Sequence, residues 1–201
     1  MPLNLIITGV GGQGNVLASQ VVGRAAFNKG FRVTIGETFG VTQRGGPVMS
    51  HIRLSGEIDC GPLIPPNMAH IILGLEPLET IRILPEYGRE DTVFIVNSRP
   101  IYPLNVIAGG VEYPDIDQIR SVLTQTGGRL FWLDATSMAI ELGGPVFLNM
   151  IMLGALCSLP NFPIEVGDFR FAVRDLFPES KLELNYRALD IGVNFIHDIE
   201  N

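Results

Sequence analysis

The turn that decides the fold lies near the start of the chain, where residues 9–20 read GVGGQGNVLASQ and follow directly on the apolar run LNLIIT at 3–8. Gly9, Gly11 and Gly14 have the spacing G-x-G-x-x-G. Between a strand and a helix, this spacing allows a tight bend, lets a phosphate approach the backbone, and lets the helix pack closely on the strand. The helix N-terminus also offers free N–H groups and a positive dipole. The stretch therefore predicts a strand, an anion-binding turn and a helix.

Composition restricts the class of protein. The chain has 201 residues, of which 46% are hydrophobic and 17% are charged. This length and composition predict a single domain over residues 1–201 with a sizeable core. The net charge of -7 argues against binding to nucleic acid. Only two cysteines are present, and neither lies in a metal-binding spacing, so no metal site is predicted in this chain.

No membrane span or export signal is predicted. The longest apolar stretch, FLNMIMLGALCSL, is bounded by Pro145 and Pro160 and is shorter than the roughly 20 residues that a spanning helix needs. The first residues enter a strand directly, without a basic segment before an apolar run. We therefore expect a cytoplasmic protein.

Strand and helix patterns alternate along the chain. Short continuous apolar runs predict strands at 3–8, 31–37, 48–56, 69–75, 91–97 and 129–135. Helical spacing predicts helices at 13–30, 76–88, 115–127, 146–159, 166–177 and 179–199. The stretch at 98–115, rich in Pro and Gly, is predicted to be irregular with short strands. These patterns predict an α/β fold, with a Rossmann-like, doubly wound mixed sheet and a helical C-terminal cluster.

One interpretation of the glycine turn is a dinucleotide site. Glu37, at the end of the second predicted strand, occupies the place where such a fold puts its ribose-binding acid. That interpretation predicts a free-standing NAD-dependent oxidoreductase. The alternative without a ligand is that the glycines serve only close packing, in an assembly module that binds nothing at this turn.

Two features argue against the dinucleotide interpretation. The turn contains an additional glycine, Gly12, and then Gln13, whose amide we expect to project towards a ligand. A long loop also follows the second strand, with Gln43, Arg44, Gly45 and Gly46 in the sequence TQRGG, where a dinucleotide fold passes quickly into a helix. Because the crossover helix is missing, the third strand is predicted to be an antiparallel hairpin partner.

The sequences GVGGQGNVLAS and ETFGVTQRGGPVMSHIRLSG together resemble the gamma-type subunit, or gamma domain, of the 2-oxoacid:ferredoxin oxidoreductases. The likeness extends through HIILGLEPLET and NMIMLGAL, so it covers most of the chain, and it is closest to the beta subunit of the indolepyruvate type. The resemblance implies a subunit that is inactive alone. Its complex would oxidatively decarboxylate indolepyruvate or a related aryl or branched 2-oxoacid, join the acyl group to coenzyme A, and pass electrons to ferredoxin.

The resemblance also implies which groups belong to which chain. Thiamine diphosphate, magnesium and iron-sulfur clusters would lie on a larger catalytic subunit, and this chain would cover that active site and help to bind coenzyme A. A pyrophosphate suits the glycine turn, and an arginine suits a ribose phosphate. The candidate binding residues are Gly9, Gly11, Gly12, Gln13, Gly14, Glu37, Gln43, Arg44, Gly45, Gly46 and Asn149.

Two further side chains have competing interpretations. Asn149 lies in the middle of an apolar helix, where a buried amide needs hydrogen-bond partners, so it either contacts a ligand or braces a loop. His51, in MSHIR, is interpreted as a surface or interface residue rather than a catalytic base. No catalytic residue is assigned to this chain.

Overall fold

The computed structural model describes residues 2–39, 46–102, 104–110 and 112–200. Within them, six strands form one sheet, with the bounds Leu3–Val10 (β1), Arg32–Phe39 (β2), Pro47–Ser55 (β3), Ile71–Gly74 (β4), Val93–Asn97 (β5) and Leu130–Leu133 (β6). The helices are Asn15–Asn28 (α1), Pro77–Tyr87 (α2), Leu104–Ile107 (α3), Ile116–Gln125 (α4), Ala135–Leu142 (α5), Leu148–Cys157 (α6), Val166–Leu176 (α7) and Leu182–Glu200 (α8). Short 3-10 turns precede α6 and α8, at Pro145–Phe147 and Glu179–Lys181.

The sheet is mixed, with the strand order β2-β3-β1-β4-β5-β6. Strands β1, β4, β5 and β6 are parallel, whereas β3 is antiparallel to both of its neighbours. The hairpin predicted from the missing crossover helix is therefore confirmed. It places β2 at the edge of the sheet, one strand away from β1.

Helices cover both faces of the sheet. Along β1, Leu5 and Ile7 belong to the core beneath α1 and the C-terminal helices, whereas Ile6 belongs to the core beneath α2 and α4. This alternation follows from the two-residue period of a strand. The predicted doubly wound α/β sheet is confirmed. The chain reverses its winding direction between β1 and β4, and the carboxyl ends of these strands mark the place where open α/β sheets bind ligands.

The C-terminal cluster is built around α6, whose residues from Leu148 to Leu156 are all buried. It contacts α8 at two glycines: a Cβ added at Gly154 would lie 2.0 Å from the carbonyl oxygen of Leu189. One added at Gly192 would lie 1.9 Å from that of Ile151. The apolar stretch of α6 is thus buried within the protein, where it packs against α8. No helix of the described residues is long and apolar enough to cross a membrane.

Two predictions of local structure are wrong, and one helix was not predicted. In the described part of the stretch at 98–115, the regular element is the short helix α3 rather than short strands. Helix α5 was not predicted. His51 is fully buried, because its strand β3 is internal and its side chain packs against Tyr87 of α2. Its interpretation as a surface or interface residue is therefore wrong.

Candidate functional site

The glycine turn joins β1 to α1 at the switch point of the sheet. Gly12 and Gly14 have φ angles of 105° and 85°, a region that favours glycine, so the bend is made at these two positions. Gly9 lies within β1, and a Cβ there would come within 2.6 Å of the Gln13 side chain. A Cβ at Gly12, in contrast, would meet no atom within 4 Å, so this residue leaves space on the open side of the turn.

The first turn of α1 has no side-chain cap. Its N-cap residue is Gly14, which has no side chain to accept from the first amide groups. These N–H groups therefore need an acceptor from water or a ligand, and the helix dipole favours a negative charge there. The local structure fits an anion next to Gly12 and Gly14.

The sequence led us to expect that the amide of Gln13 projects towards a ligand. In the structure this amide is instead hydrogen-bonded within the chain. Its Oε1 accepts from the backbone N–H of Val10 at 2.7 Å, and its Nε2 donates to the carbonyl oxygen of Leu75 at 2.8 Å. The side chain thus connects the turn to the end of β4. Its observed role is to brace the turn.

Glu37 does not have the position of a ribose-binding acid. One carboxylate oxygen accepts from the Ser19 hydroxyl at 2.7 Å and the other from the Ser50 hydroxyl at 2.6 Å. Strand β3 separates β2 from β1, so Glu37 lies one strand further from the turn than the dinucleotide interpretation requires. That correction removes the main support for an NAD site.

Strand β2 ends, and β3 begins, at the same edge of the sheet as the glycine turn. The carbonyl oxygen of Gly46, the residue before β3, accepts from the backbone N–H of Gly11 at 2.9 Å. The structure therefore brings Gly46 and Gly11 together. Gln43, Arg44 and Gly45 lie outside the described residues, and their predicted roles stay predictions.

Asn149, in the first turn of α6, contacts the glycine turn. Its side chain is buried, and its Nδ2 lies 3.5 Å from the carbonyl oxygen of Gly14, to which it donates. A Cβ at Gly14 would lie 2.5 Å from the same nitrogen, so this contact depends on the glycine. Of the two interpretations, the contact with Gly14 matches loop bracing, although Asn149 also lines a cleft beside the turn.

A cleft of about 600 Å³ opens beside the turn. Its walls come from the carboxyl ends of β1 and β5, the start of α5 and the start of α6, and its lining residues are Val10, Gly11, Gly12, Gln13, Gly14, Leu17, Arg99, Pro100, Ile101, Thr136, Pro145, Val146, Leu148 and Asn149. Arg99 is the one charged side chain among these described lining residues. The cleft is therefore mostly apolar, with a cation on one wall and a helix N-terminus on another.

Buried Asn97 at the end of β5 holds two of these walls together. Its Nδ2 donates to the carbonyl oxygen of Leu75 at 3.0 Å and to the Thr136 hydroxyl at 3.0 Å, and its Oδ1 accepts from the backbone N–H of Thr136 at 3.2 Å. The amide thus fixes the start of α5 against the end of β4. The cleft is shaped by hydrogen bonds formed within the chain itself.

Sequence reasoning missed Arg99 and Thr136. The signal was present, because each follows a predicted strand of a parallel sheet, and the carboxyl ends of parallel strands share one edge. The described lining contains no His, Cys, Asp or Glu side chain. Its chemistry suits binding of an anionic ligand with an apolar part, and it offers no general acid or base.

Comparison with known proteins agrees with this architecture. The family model described as pyruvate ferredoxin/flavodoxin oxidoreductase matches residues 4–195. An indolepyruvate oxidoreductase subunit IorB from Methanothermobacter thermautotrophicus is 38% identical over 192 residues, covering 96% of each chain. The IorB subunit of Thermococcus kodakarensis is 35% identical over 191 residues, covering 94% of each.

Solved structures share the fold. The gamma subunit of a keto/oxoacid ferredoxin oxidoreductase from Geobacter sulfurreducens has a TM-score of 0.71 at 19% identity, covering 98% of this chain and 99% of its own. A 2-oxoglutarate:ferredoxin oxidoreductase from Magnetococcus marinus has a TM-score of 0.75 at 22% identity, and the match covers 98% of this chain and 31% of that one. The chain belongs to the pyruvate ferredoxin/flavodoxin oxidoreductase family and is a gamma-type subunit of a 2-oxoacid:ferredoxin oxidoreductase.

Proposed function

We propose that this chain helps to bind coenzyme A in the cleft and covers the thiamine diphosphate site of a larger catalytic subunit. In this proposal the chain is inactive alone, and the assembled enzyme converts a 2-oxoacid to an acyl-CoA. The names of the relatives, which are indolepyruvate oxidoreductase subunits, support indolepyruvate or a related aryl 2-oxoacid as the substrate. Ferredoxin would accept the electrons through iron-sulfur clusters of the partner.

The observation that carries the proposal is the cleft at the switch point. The uncapped N-terminus of α1 and the open side of Gly12 suit a pyrophosphate, whereas the apolar walls suit the long pantetheine arm. The Magnetococcus marinus enzyme was solved with 2-oxoglutarate, coenzyme A and succinyl-CoA bound, which supports the same ligand class for a gamma-type domain.

The distribution of exposed apolar side chains supports the covering role. Ile101, Tyr102 and Val146 are all exposed, and they lie at or beside the mouth of the cleft. Exposed apolar groups around a binding cleft are typical of a surface that another protein covers. A catalytic subunit seated there would exclude water from the cleft.

The chemistry would be divided between the subunits. Thiamine diphosphate with magnesium, bound by the partner, would supply the decarboxylation. The residues of this chain would hold the phosphate groups at α1, enclose the pantetheine arm between Leu17 and Val146, and keep water out. Because the described cleft lining has no proton carrier, proton transfer would depend on the partner or on the substrates.

Replacing Gly12 by alanine tests the ligand assignment. In the enzyme assembled by co-expression with its catalytic subunit, the added methyl group would occupy the space that the pyrophosphate needs. We expect the KM for coenzyme A to rise about tenfold, which corresponds to roughly 1.4 kcal/mol of lost binding, while the KM for the 2-oxoacid stays the same.

Gly30→Ala is the matched control. Gly30 lies just beyond the other end of α1, has a φ of 92°, and a Cβ there also meets no atom within 4 Å. The backbone strain of the two substitutions is therefore similar, and only Gly12 faces the cleft. An equal KM for coenzyme A in the two variants would refute the proposed site.

A further inference from the structure

We infer that Arg99 is the residue that binds a phosphate group of coenzyme A, and that buried Glu76 and half-buried Tyr113 hold Arg99 in position. This inference rests on the proposed function, because it names a residue for the same ligand. It goes beyond the glycine turn, since Arg99 lies in a separate segment, after β5. The observations that carry it are the charge of the cleft and the hydrogen bonds beneath that segment.

Arg99 is exposed on the wall of the cleft and has no internal partner. The described residues offer its guanidinium neither an ion pair nor a hydrogen bond, whereas Arg32, Arg129 and Arg170 each pair with an acid. As the one charged side chain in the described lining, it is the natural partner for an anion entering the cleft. A guanidinium can bind two phosphate oxygens at once.

The segment that carries Arg99 is fixed by a buried carboxylate. Glu76 lies at the N-terminus of α2, almost fully buried, and one of its oxygens accepts from the backbone N–H of Glu79 at 2.8 Å. The other accepts from the Tyr113 hydroxyl at 2.5 Å and from the backbone N–H of Ile101 at 3.3 Å. Ile101 is two residues from Arg99, so the carboxylate anchors the cleft wall directly.

Tyr113 is suited to remain a hydrogen-bond donor. Burial, followed by its bond to Glu76, raises the pKa of Tyr113 well above its usual value, so the hydroxyl keeps its proton. Its oxygen also accepts from the backbone N–H of Leu78 at 3.2 Å, and its ring packs edge-on against Tyr102 at 5.2 Å. The hydroxyl therefore links α2, Glu76 and the segment beside the cleft.

The cleft favours a phosphate ligand over the carboxylate of the 2-oxoacid. Positive potential comes from two places, the N-terminus of α1 and the guanidinium of Arg99, on different walls of the same cleft. A 2-oxoacid has one carboxylate, whereas coenzyme A has a pyrophosphate and a separate 3′-phosphate. Only coenzyme A has enough anionic groups to contact both the N-terminus of α1 and the guanidinium of Arg99.

A double-mutant cycle on the assembled enzyme tests this inference. We expect Arg99→Ala to raise the KM for coenzyme A about tenfold and Tyr113→Phe to raise it about threefold, with little change in the KM for the 2-oxoacid. If Tyr113 acts through Arg99, adding Tyr113→Phe to Arg99→Ala produces no further rise. The phenylalanine keeps the ring and its packing on Tyr102, and Arg99 is exposed, so both variants retain the fold.

Two comparisons complete the experiment. Arg32→Ala, which removes an exposed arginine at the opposite edge of the sheet, should leave every KM unchanged. With dephospho-coenzyme A, which lacks the 3′-phosphate, loss of the Arg99→Ala effect assigns the guanidinium to that phosphate, and persistence assigns it to the pyrophosphate. Either result supports a phosphate ligand.

Other outcomes would overturn the inference. An unchanged KM for coenzyme A in Arg99→Ala refutes the assignment of Arg99. If only the KM for the 2-oxoacid rises, the guanidinium binds the carboxylate of the 2-oxoacid and not a phosphate. Additive effects of the two substitutions refute the positioning role of Tyr113. None of these results alters the Gly12→Ala experiment, which tests the proposed function separately.

Discussion

His51 is a buried titratable side chain outside the cleft. Its Nδ1 accepts from the backbone N–H of Ile64 at 3.3 Å, and its Nε2 has no hydrogen-bond partner. Burial lowers the pKa of His51 and outweighs the opposite effect of the charges on Glu86 and Glu37. Folding therefore keeps the ring neutral at pH values where the unfolded chain takes up a proton.

This difference predicts a loss of stability in acid. As the pH falls below about 6.5, the unfolded state binds a proton that the folded state does not, so the free energy of unfolding falls, by at most about 1.4 kcal/mol per pH unit from this group. In His51→Asn, whose Oδ1 can still accept from Ile64, this contribution is absent. Urea unfolding at about pH 7.5 and about pH 5.5 should show a smaller loss in the variant.

The comparison of the wild type with His51→Asn isolates the contribution of His51 to the pH dependence of stability. His70, whose pKa burial also lowers, is present in both, so its contribution cancels in the difference. Equal pH dependence of the wild type and His51→Asn would contradict the prediction. A stability difference that is the same at both pH values would reflect packing alone.

At the scale of residues, the sequence identified the important positions correctly, but it was less successful in predicting which contacts their side chains make. The glycine spacing located the turn, since such a bend needs residues that adopt positive φ at Gly12 and Gly14. The predicted orientation of Gln13 and position of Glu37 were wrong, whereas their ligand contacts stay predictions. Both side chains have hydrogen-bond partners outside their own segments, the carbonyl oxygen of Leu75 in one case and the Ser50 hydroxyl in the other. A pattern of residue types holds no information on such pairings.

At the scale of elements, the contact between α6 and α8 is a sensitive point, because it joins the cleft to the C-terminal cluster. A Cβ at Gly154 would lie 2.0 Å from the carbonyl oxygen of Leu189, so Gly154→Ala must push the helices apart. We expect a loss of about 2–3 kcal/mol in the free energy of unfolding, measured in urea. Because α6 carries Asn149, the shift should also loosen the glycine turn.

Gly167→Ala is a control for the helical propensity of alanine. Gly167 lies in the first turn of α7, and a Cβ there meets no atom within 4 Å. That variant should be as stable as the wild type or more stable by up to about 1 kcal/mol. If both alanine variants changed stability equally, the close contact with Leu189 would have no energetic role.

The predictability of elements followed the strength of their local signals. Helix α4 was predicted from its acidic cap, and Asp115 does accept from the backbone N–H groups of Asp117 and Gln118. Helix α5 has an equivalent cap, in which Asp134 accepts from the N–H of Ser137 at 2.9 Å, but only eight residues follow it. Such a short helix depends on tertiary contacts more than on its own sequence.

At the scale of the whole molecule, the alternation of strands and helices was enough to predict the winding of the sheet and the edge of the sheet at which the cleft lies. The shape of the cleft was not predictable, because its walls come from segments far apart in sequence. Arg99, Thr136 and Val146 line the same cleft as Gly12 only because the sheet and the packing of α6 bring these segments together. Identifying that cleft required the packed structure.

The whole-molecule proposal makes a prediction about assembly. If the catalytic subunit covers the cleft, side chains at its mouth are buried in the complex, and Val146, which is 73% exposed, is the best placed. An aspartate there would bring a charge into an apolar interface. We expect Val146→Asp to weaken association with the catalytic subunit at least about tenfold, which is roughly 1.4 kcal/mol, in a titration of the purified subunits.

Phe27→Asp distinguishes an effect at this face from a general effect of surface charge. Phe27 is 65% exposed, like Val146, but it lies in the last turn of α1, at the other end of the helix from the glycine turn. It should leave the association constant unchanged if the cleft face meets the partner. The reverse result, with Phe27→Asp weakening assembly and Val146→Asp leaving it intact, would put the catalytic subunit at the opposite end of α1. The cleft would then be open to solvent in the complex, and this chain would not enclose the active site.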